Sequence, residues 1–280
     1  MKLGYNTNGF CNHRIEDAIE ILAEIGYRSI AITVDYHCLN PYAENFKRQL
    51  ETVQKLLQKY ELSSVIETGA RFLLNRTRKH EPTLMSADAA ARAKRIDFLK
   101  RCIDIAACLG SDVVSFWSGI LRDDVDRSVA IHRLTEGCQR VIDYAEQKNV
   151  TLGFEPEPGM FIDTFAGFEE LLENVESPHF GLTVDIGHVH CLEDEPIGDY
   201  LKQWASRIVN IHIEDMKKGI HEHLMFGAGE IDFSEVIKSV EEIGYRGGVH
   251  VELSRHSHIA PTAARDSFEF LTEIGSQHKS

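Results

Sequence analysis

Four residues that close successive apolar runs carry the chemistry this sequence offers. In Thr151-Leu152-Gly153-Phe154-Glu155, Leu152 and Phe154 alternate with Glu155. A β-strand sends successive side chains to opposite faces, so Glu155 points away from its apolar neighbours. The same alternation sets Asp185 against Leu182, Val184 and Ile186, His212 against Val209, Ile211 and Ile213, and Glu252 against Val249, Val251 and Leu253. If these strands neighbour one another, three carboxylates and one imidazole converge in a single cavity. Uncompensated carboxylates there would repel, and desolvating each would cost on the order of several kcal/mol, so the set requires a cation or protons. Oxygen-rich coordination with one imidazole suits one divalent ion, Mn²⁺ foremost, with Mg²⁺, Co²⁺ or Zn²⁺ as alternatives, over an ion that prefers thiolates. Glu157 shares the parity of Glu155 but lies beyond Pro156, where strand geometry fails, so Glu155 is the preferred ligand.

Bringing these residues together requires a parallel sheet. Short β-branched runs alternate with amphipathic stretches along the whole chain, the pattern of βα units. Eight such runs are read, at 3–6, 29–34, 63–68, 113–117, 151–155, 181–185, 208–213 and 249–253. Ile15, Ala18, Ile19, Leu22 and Ile25 recur at helical spacing before Gly26; Ile96, Leu99, Ile103 and Ala106 do so before Gly110, and Phe233, Val236, Ile237 and Val240 before Gly244. With no composition break, the 280 residues predict one α/β domain over 1–280, a (β/α)8 barrel, close to the roughly 250 residues typical of that fold. No G-x-G-x-x-G follows the first run, which removes the dinucleotide-binding reason for an open sheet. The long connections 72–87 and 217–232 leave the C-terminal ends of strands, where such barrels keep their active sites, and read as lids or substrate walls.

Composition narrows the function classes. With 44 acidic against 30 basic residues, the net charge of −14 repels a phosphate backbone, so nucleic acid is not an expected partner. The N-terminus lacks a signal-peptide apolar region, and no segment approaches the ~18 apolar residues of a membrane span, so a cytoplasmic location away from membranes is expected. Cys11, Cys38, Cys102, Cys108, Cys138 and Cys191 form no C-x-x-C pair and read as buried free thiols. At the barrel mouth, Glu67 and Arg71 are candidate substrate contacts, the arginine suiting a carboxylate or phosphate, with a surface salt bridge as the plain alternative. Trp117 could wall a sugar ring or serve as a core aromatic.

The stretches Gly153-Phe154-Glu155-Pro156, Val184-Asp185-Ile186-Gly187-His188, Ile211-His212-Ile213-Glu214-Asp215, Gly227-Ala228-Gly229-Glu230-Ile231-Asp232-Phe233 and Val251-Glu252 resemble the xylose isomerase-like TIM-barrel superfamily over essentially the whole chain. That superfamily includes sugar phosphate isomerases and epimerases, ketose 3-epimerases, hydroxypyruvate isomerase and an apurinic endonuclease. The resemblance implies that Glu155, Asp185, His212 and Glu252 are metal ligands, and that Glu155 and Glu252 act as acid and base beside a carbonyl. It also implies substrate contacts for His188 and for His223, and makes His188, His221 and His223 a candidate second metal site. Helix faces of such barrels often mediate association, so a homo-oligomer is expected, although no patch is singled out.

Two departures shape the expectation. The endonuclease branch uses histidines from strands three and four, where this chain has Glu67/Thr68 and Ser115/Trp117. The ketose 3-epimerases place an arginine soon after the strand-seven histidine, where this chain has Glu214, Asp215, Met216 and Lys217. The leading expectation is a metal-dependent isomerase or epimerase of a sugar, sugar phosphate or keto-sugar. The alternatives are a lyase acting on a keto-glycoside, a phosphodiesterase of the endonuclease type, and a non-catalytic sugar-binding barrel.

Overall fold

The structure is a computed structural model that describes residues 1–277. Its barrel strands are β1 (Lys2–Asn6), β2 (Ser29–Thr33), β3 (Ser63–Glu67), β4 (Val113–Phe116), β5 (Thr151–Phe154), β6 (Phe180–Asp185), β7 (Ile208–Ile213) and β10 (Gly248–Val251). All pair in parallel, and the order β1-β10-β7-β6-β5-β4-β3-β2 closes on itself, so the sheet has no free edge. The intervening helices are α1 (Ile15–Ile25), α2 (Phe46–Lys59), α3 (Ala89–Leu109), α4 (Arg127–Lys148), α5 (Phe165–Leu172), α6 (Ile186–Leu192), α7 (Ile197–Trp204) and α8 (Phe233–Glu242), followed by α9 (Ala260–Gln277). This is the expected single (β/α)8 TIM barrel. Among the described residues no helix is long and apolar enough to cross a membrane.

The helices form where apolar residues recur at helical spacing. In α1, Ile15, Ala18, Ile19 and Leu22 are buried, and Gly26 ends the helix at φ 123°, a conformation other residues resist. α3 ends likewise at Gly110. The main core lies between helices and sheet, with Phe116, Phe154, Phe168 and Phe180 in mutual ring contact.

Strand register fixes the inward face. Thr33 pairs with Glu67, Ser115 with Gly153, and Asp185 with His212, all at positions of inward parity. One outward expectation fails. Val209 was read on the face of Ile211 and Ile213, but the register shifts between Leu182 and Thr183, and Val209 packs with the inward Ala31, Val65 and Val113. The extra residue of such a bulge reverses the alternation, and Val209 fills the room left by Gly153 and Gly181. The strand ends are also shorter than read: Trp117, Glu155 and Glu252 lie just beyond β4, β5 and β10. Of the cysteines, Cys38, Cys102, Cys138 and Cys191 are buried free thiols as expected, whereas Cys11 is half-buried and Cys108 exposed.

The connection 217–232 folds back as a two-stranded hairpin, β8 (Asp215–Lys217) with β9 (Ile220–Leu224). The connection 72–87 is irregular and is pinned by Arg95. This guanidinium is 6% exposed, donates to the carbonyls of Pro82 and His80 at 2.6 Å each, and packs over Phe98 and Trp117. Burial without a carboxylate partner among these contacts pushes it down to about 10. Arg95→Met should therefore free this connection. Limited trypsin digestion at the exposed Arg76, Arg78 and Lys79 should accelerate roughly tenfold, as a ~1.4 kcal/mol easier local opening would give. An unchanged rate would show that other contacts hold the segment.

Candidate metal centre

Four consecutive strands of the ring, β5, β6, β7 and β10, deliver Glu155, Asp185, His212 and Glu252 to one spot. One ligand atom from each lies within 4.8 Å of the others. His212 Nδ1 stands 3.1 Å from Glu155 Oε1, 2.9 Å from Glu252 Oε2 and 3.9 Å from Asp185 Oδ2. Glu155 and Glu252 end this arc, so they flank Asp185 and His212 from opposite sides. Asp185 Oδ1 accepts the His188 N–H at 2.8 Å, which starts α6, while Oδ2 is buried without a hydrogen-bond partner. An oxygen left unpaired among other acceptors is what a cation ligand looks like before the cation is counted.

The electrostatics reflect this convergence. Burial pushes Glu155 up to about 8. Burial works against charge on His212 too, but the carboxylates of Glu67, Glu155 and Glu252 outweigh it and hold the imidazole well above its ordinary value. Burial likewise opposes ionisation of Glu252, yet the His212 charge keeps its carboxyl below the usual range. Burial opposes ionisation of Asp185 as well, and His188 and His223 hold it low. A protonated His212 thus occupies, without metal, the electrostatic place of a cation.

The hairpin adds His221 and His223, which meet His188 of α6. His188 Nδ1–H donates to the Pro156 carbonyl at 3.2 Å and His223 Nδ1–H to the Glu252 carbonyl at 2.9 Å. A carbonyl only accepts, so in the neutral rings both Nε2 atoms are lone pairs. They face His221 Nε2 at 3.1 and 3.3 Å. Burial pushes His188 down to about 4 and also lowers His221, which disfavours charge on both. Asp215 holds the hairpin in place by accepting the N–H groups of Met216, Gly227, Gly229 and Ile231 at 2.8–3.2 Å. A Cβ on Gly229 would lie 2.2 Å from Asp215 Oδ1, which accounts for the second glycine of the Gly-Ala-Gly motif, while the first, Gly227, turns at φ 85°.

Residues 19–274 match the family described as Xylose isomerase-like TIM barrel. The chain belongs to this family. Over 198 residues it is 24% identical to L-ribulose-5-phosphate 3-epimerase UlaE of Shigella flexneri, covering 69% of this chain and 68% of that protein. The crystal structure of the IolI protein with a binding zinc atom superposes with TM-score 0.80 at 20% identity, covering 99% of each chain. D-allulose 3-epimerase from Methylomonas sp., solved with D-allulose, gives TM-score 0.78 at 20% identity over 98% of this chain and 97% of that one. At these identities the structural likenesses establish the shared fold.

In this xylose isomerase-like barrel a cavity of about 320 Å³ opens above the four-residue arc. Of the residues singled out from the sequence, Glu67, Arg71, Trp117, His188, His221 and His223 all line it. Arg71 is partly committed, its Nε lying 3.0 Å from Asp35 Oδ2 and its Nη2 contacting Cys11 Sγ. Glu67 Oε1 is taken by His212 Nε2 at 2.9 Å and Asn210 Nδ2 at 3.1 Å, which turns it toward the barrel core. Trp117 stands edge-on to His80 at 5.3 Å, with its indole N–H buried and unpartnered.

Other lining residues went unread. Asn8 Nδ2 donates to Glu252 Oε1 at 2.7 Å and so orients that glutamate. Asn6 and Thr33 occupy the inward ends of β1 and β2, where the alternation rule finds them once it is applied to those strands. Glu157, weighed from the sequence and set aside as a ligand, lines the cavity outside the ligand arc, and burial together with Glu155 drives its carboxyl well above the usual range. Glu214, wholly buried beside Asp185, is pushed up in the same way, by burial and then by that carboxylate.

These shifts predict how the metal-free protein responds to pH. Glu155, Glu157, Glu214 and His212 all have folded values above their unfolded ones. The native state therefore binds the extra protons, and the stability these groups confer is complete below their unfolded values and lost as pH rises through the folded ones. The lowered His188 and His221 act in the opposite sense only below about 6.5. Stability of the metal-free protein against thermal unfolding should thus fall steadily from about pH 6.5 to 8.5, by up to ~1.4 kcal/mol per pH unit for each proton lost, and Glu155→Gln should flatten the slope. A flat wild-type profile would contradict shared protons in the arc.

Proposed function

We propose that this protein is a divalent-metal-dependent isomerase or epimerase of a sugar, sugar phosphate or keto-sugar, acting by proton transfer at the carbon beside a carbonyl. The observation that carries this reading is the convergence of Glu155, Asp185, His212 and Glu252 within 4.8 Å beneath a cavity of about 320 Å³. That volume is near the lower end of the roughly 300–1,000 Å³ range of small-ligand sites, which suits one monosaccharide. Ketose epimerases among the relatives and structural neighbours support the substrate class. The donor set, with the unpartnered Asp185 Oδ2, fits Mn²⁺ first and Mg²⁺, Co²⁺ or Zn²⁺ as alternatives. Bound there, such an ion supplies Lewis-acid polarisation of the carbonyl and of its neighbouring hydroxyl, which stabilises the charge left by proton removal.

The protein's own groups handle the proton. Glu155 and Glu252 flank the arc, so one takes the proton and the other returns it. Return to the same carbon from the opposite face gives an epimer, and return to the adjoining carbon gives an isomer. If a leaving group sits one carbon further on, the same first step leads to elimination. Asn8 keeps Glu252 aimed, His188 and His223 offer acceptor nitrogens to substrate hydroxyls, and Trp117 forms part of the cavity wall. Arg71 stands at the cavity wall, within reach of a phosphate or carboxylate on the substrate.

Incubation of Mn²⁺-loaded protein in D₂O with ketoses, aldoses, their phosphates and keto-glycosides should place deuterium beside the carbonyl, read by NMR. Glu155→Gln and Glu252→Gln should each lower the rate by about 10²–10⁴-fold at saturating metal. Full activity in either variant would sink the two-glutamate scheme.

A second reading rests on the convergence of His188, His221 and His223 nitrogens beside the arc, with His188 Nε2 3.7 Å from Asp185 Oδ2. A second ion there would suit hydrolysis of a phosphoester. Elemental analysis decides between them: one tightly bound ion per chain supports the isomerase, and two favour the hydrolase.

A further inference from the structure

Beneath the ligand arc, the barrel interior holds polar groups that the proton chemistry does not use. Ser29, Asn210 and His250 are each fully buried, and Glu67 is 6% exposed. They are linked without a gap: His212 Nε2 to Glu67 Oε1 at 2.9 Å, Asn210 Nδ2 to Glu67 Oε1 at 3.1 Å, Asn210 Oδ1 to His250 Nδ1 at 3.0 Å, and His250 Nε2 to Ser29 Oγ at 2.8 Å. We infer that Glu67 is a positioning residue at the head of a buried relay, Glu67–Asn210–His250–Ser29, which fixes the tautomer of His212 and presents its Nδ1 lone pair to the metal. The inference rests on the metal-dependent reading above.

The donor directions follow from one premise, that a carboxylate only accepts. Glu67 then receives the Asn210 amide N–H, so the Asn210 carbonyl is left facing His250. The carbonyl in turn requires His250 Nδ1 to carry a proton. The Nε2 of a neutral His250 is therefore an acceptor, and the Ser29 hydroxyl supplies its donor. At the other end, Glu67 receives the His212 Nε2 proton, so when the ring is neutral and holds a metal the atom left to offer its lone pair is Nδ1, which faces Glu155, Asp185 and Glu252. Asn210 Nδ2 also stands 3.1 Å from His212 Nε2. Two donors cannot bond each other, and the shorter, charge-assisted contact to Glu67 decides the direction. Every member is satisfied, which is what makes a buried polar network stabilising and specific.

The surrounding sequence makes room for this relay. A Cβ on Gly4 would lie 2.3 Å from His250 Cδ2, and one on Gly248 would lie 2.3 Å from His250 Cε1. Two glycines, one on each of the adjoining strands β1 and β10, thus clear a slot for the His250 ring. A carboxylate behind a ligating histidine raises its basicity and locks its orientation, and loss of such a partner typically weakens metal binding about 10–100-fold.

The test uses ¹⁵N-histidine-labelled wild-type protein loaded with Zn²⁺, with His212 assigned by its loss in His212→Asn. The expected spectrum has the proton on Nε2 and the metal on Nδ1. A proton on Nδ1 with metal on Nε2 would overturn the relay while leaving the metal reading intact, and absence of any Zn²⁺ binding would remove both. In competition titrations Glu67→Gln should weaken Zn²⁺ binding about 10–100-fold at unchanged far-ultraviolet circular dichroism. A purely structural role would leave this isosteric change silent, and unaltered affinity would refute the assignment. Should Glu67→Gln not fold, the wild-type spectrum decides the matter alone.

Discussion

The constraint on which the rest of this molecule depends is the crowding of Glu155, Asp185 and Glu252 around His212. Two like charges about 4 Å apart repel by on the order of 4 kcal/mol even at the softened dielectric of a protein site. Without a cation the assembly is eased because the surrounding carboxylates favour the charged form of His212 and burial favours the neutral form of Glu155. The barrel makes such crowding affordable. A closed parallel sheet is rigid, its strand ends lie at fixed separations, and groups on neighbouring strands are held at close range by many backbone hydrogen bonds that do not involve the site. Function is thereby concentrated at one rim while stability comes from the outer shell of helices.

Buried polarity in this barrel goes together with missing side chains. His250 lies against Gly4 and Gly248, Asp215 against Gly229, Glu214 against Gly187, and Thr183 against Gly153, with the absent Cβ atoms falling 2.1–2.4 Å from the polar residues. These glycines are places where a polar group fills the volume a neighbour gives up. Interiors are close-packed, so an inward His or Glu needs such a vacancy as much as it needs a hydrogen-bond partner. The same rule explains why Gly187 precedes His188: any side chain there would strike the Glu214 carboxyl that abuts Asp185.

Much of this was legible in the sequence, because period-two alternation is a local property. Leu152 and Phe154 against Glu155, or Val249 and Val251 against Glu252, declare their faces without any knowledge of partners. What stayed illegible was whatever depends on register. Val209 reads as outward and turns inward, since one shift in pairing with β6 reverses it. Glu67 reads as a mouth residue, yet its oxygen is engaged by groups 143 and 145 positions away. Asn8 shows nothing in sequence to tie it to Glu252, 244 residues on. The Gly-Ala-Gly motif is visible as a motif, but its use as the seat of the Asp215 carboxylate depends on the hairpin.

The division between core and rim also separates what fixes the reaction type from what fixes the product. In the proposed reaction, epimerisation needs two groups on opposite sides of one carbon, and the order of the strands sets Glu155 and Glu252 at the two ends of the arc. On that proposal, the choice among epimer, isomer and eliminated product would depend instead on which carbon is presented between them. That choice would then fall to cavity-lining residues outside the barrel sheet: His221 and His223 on the hairpin, and Arg71, Lys79 and His80 at and within the connection that Arg95 pins. The segments follow strands seven and three, on the two sides of the cavity, so substrate choice can change with loop sequence while the arc stays intact. Barrels that share this fold at about 20% identity can therefore differ in the loops around the cavity while the ring of strands stays the same.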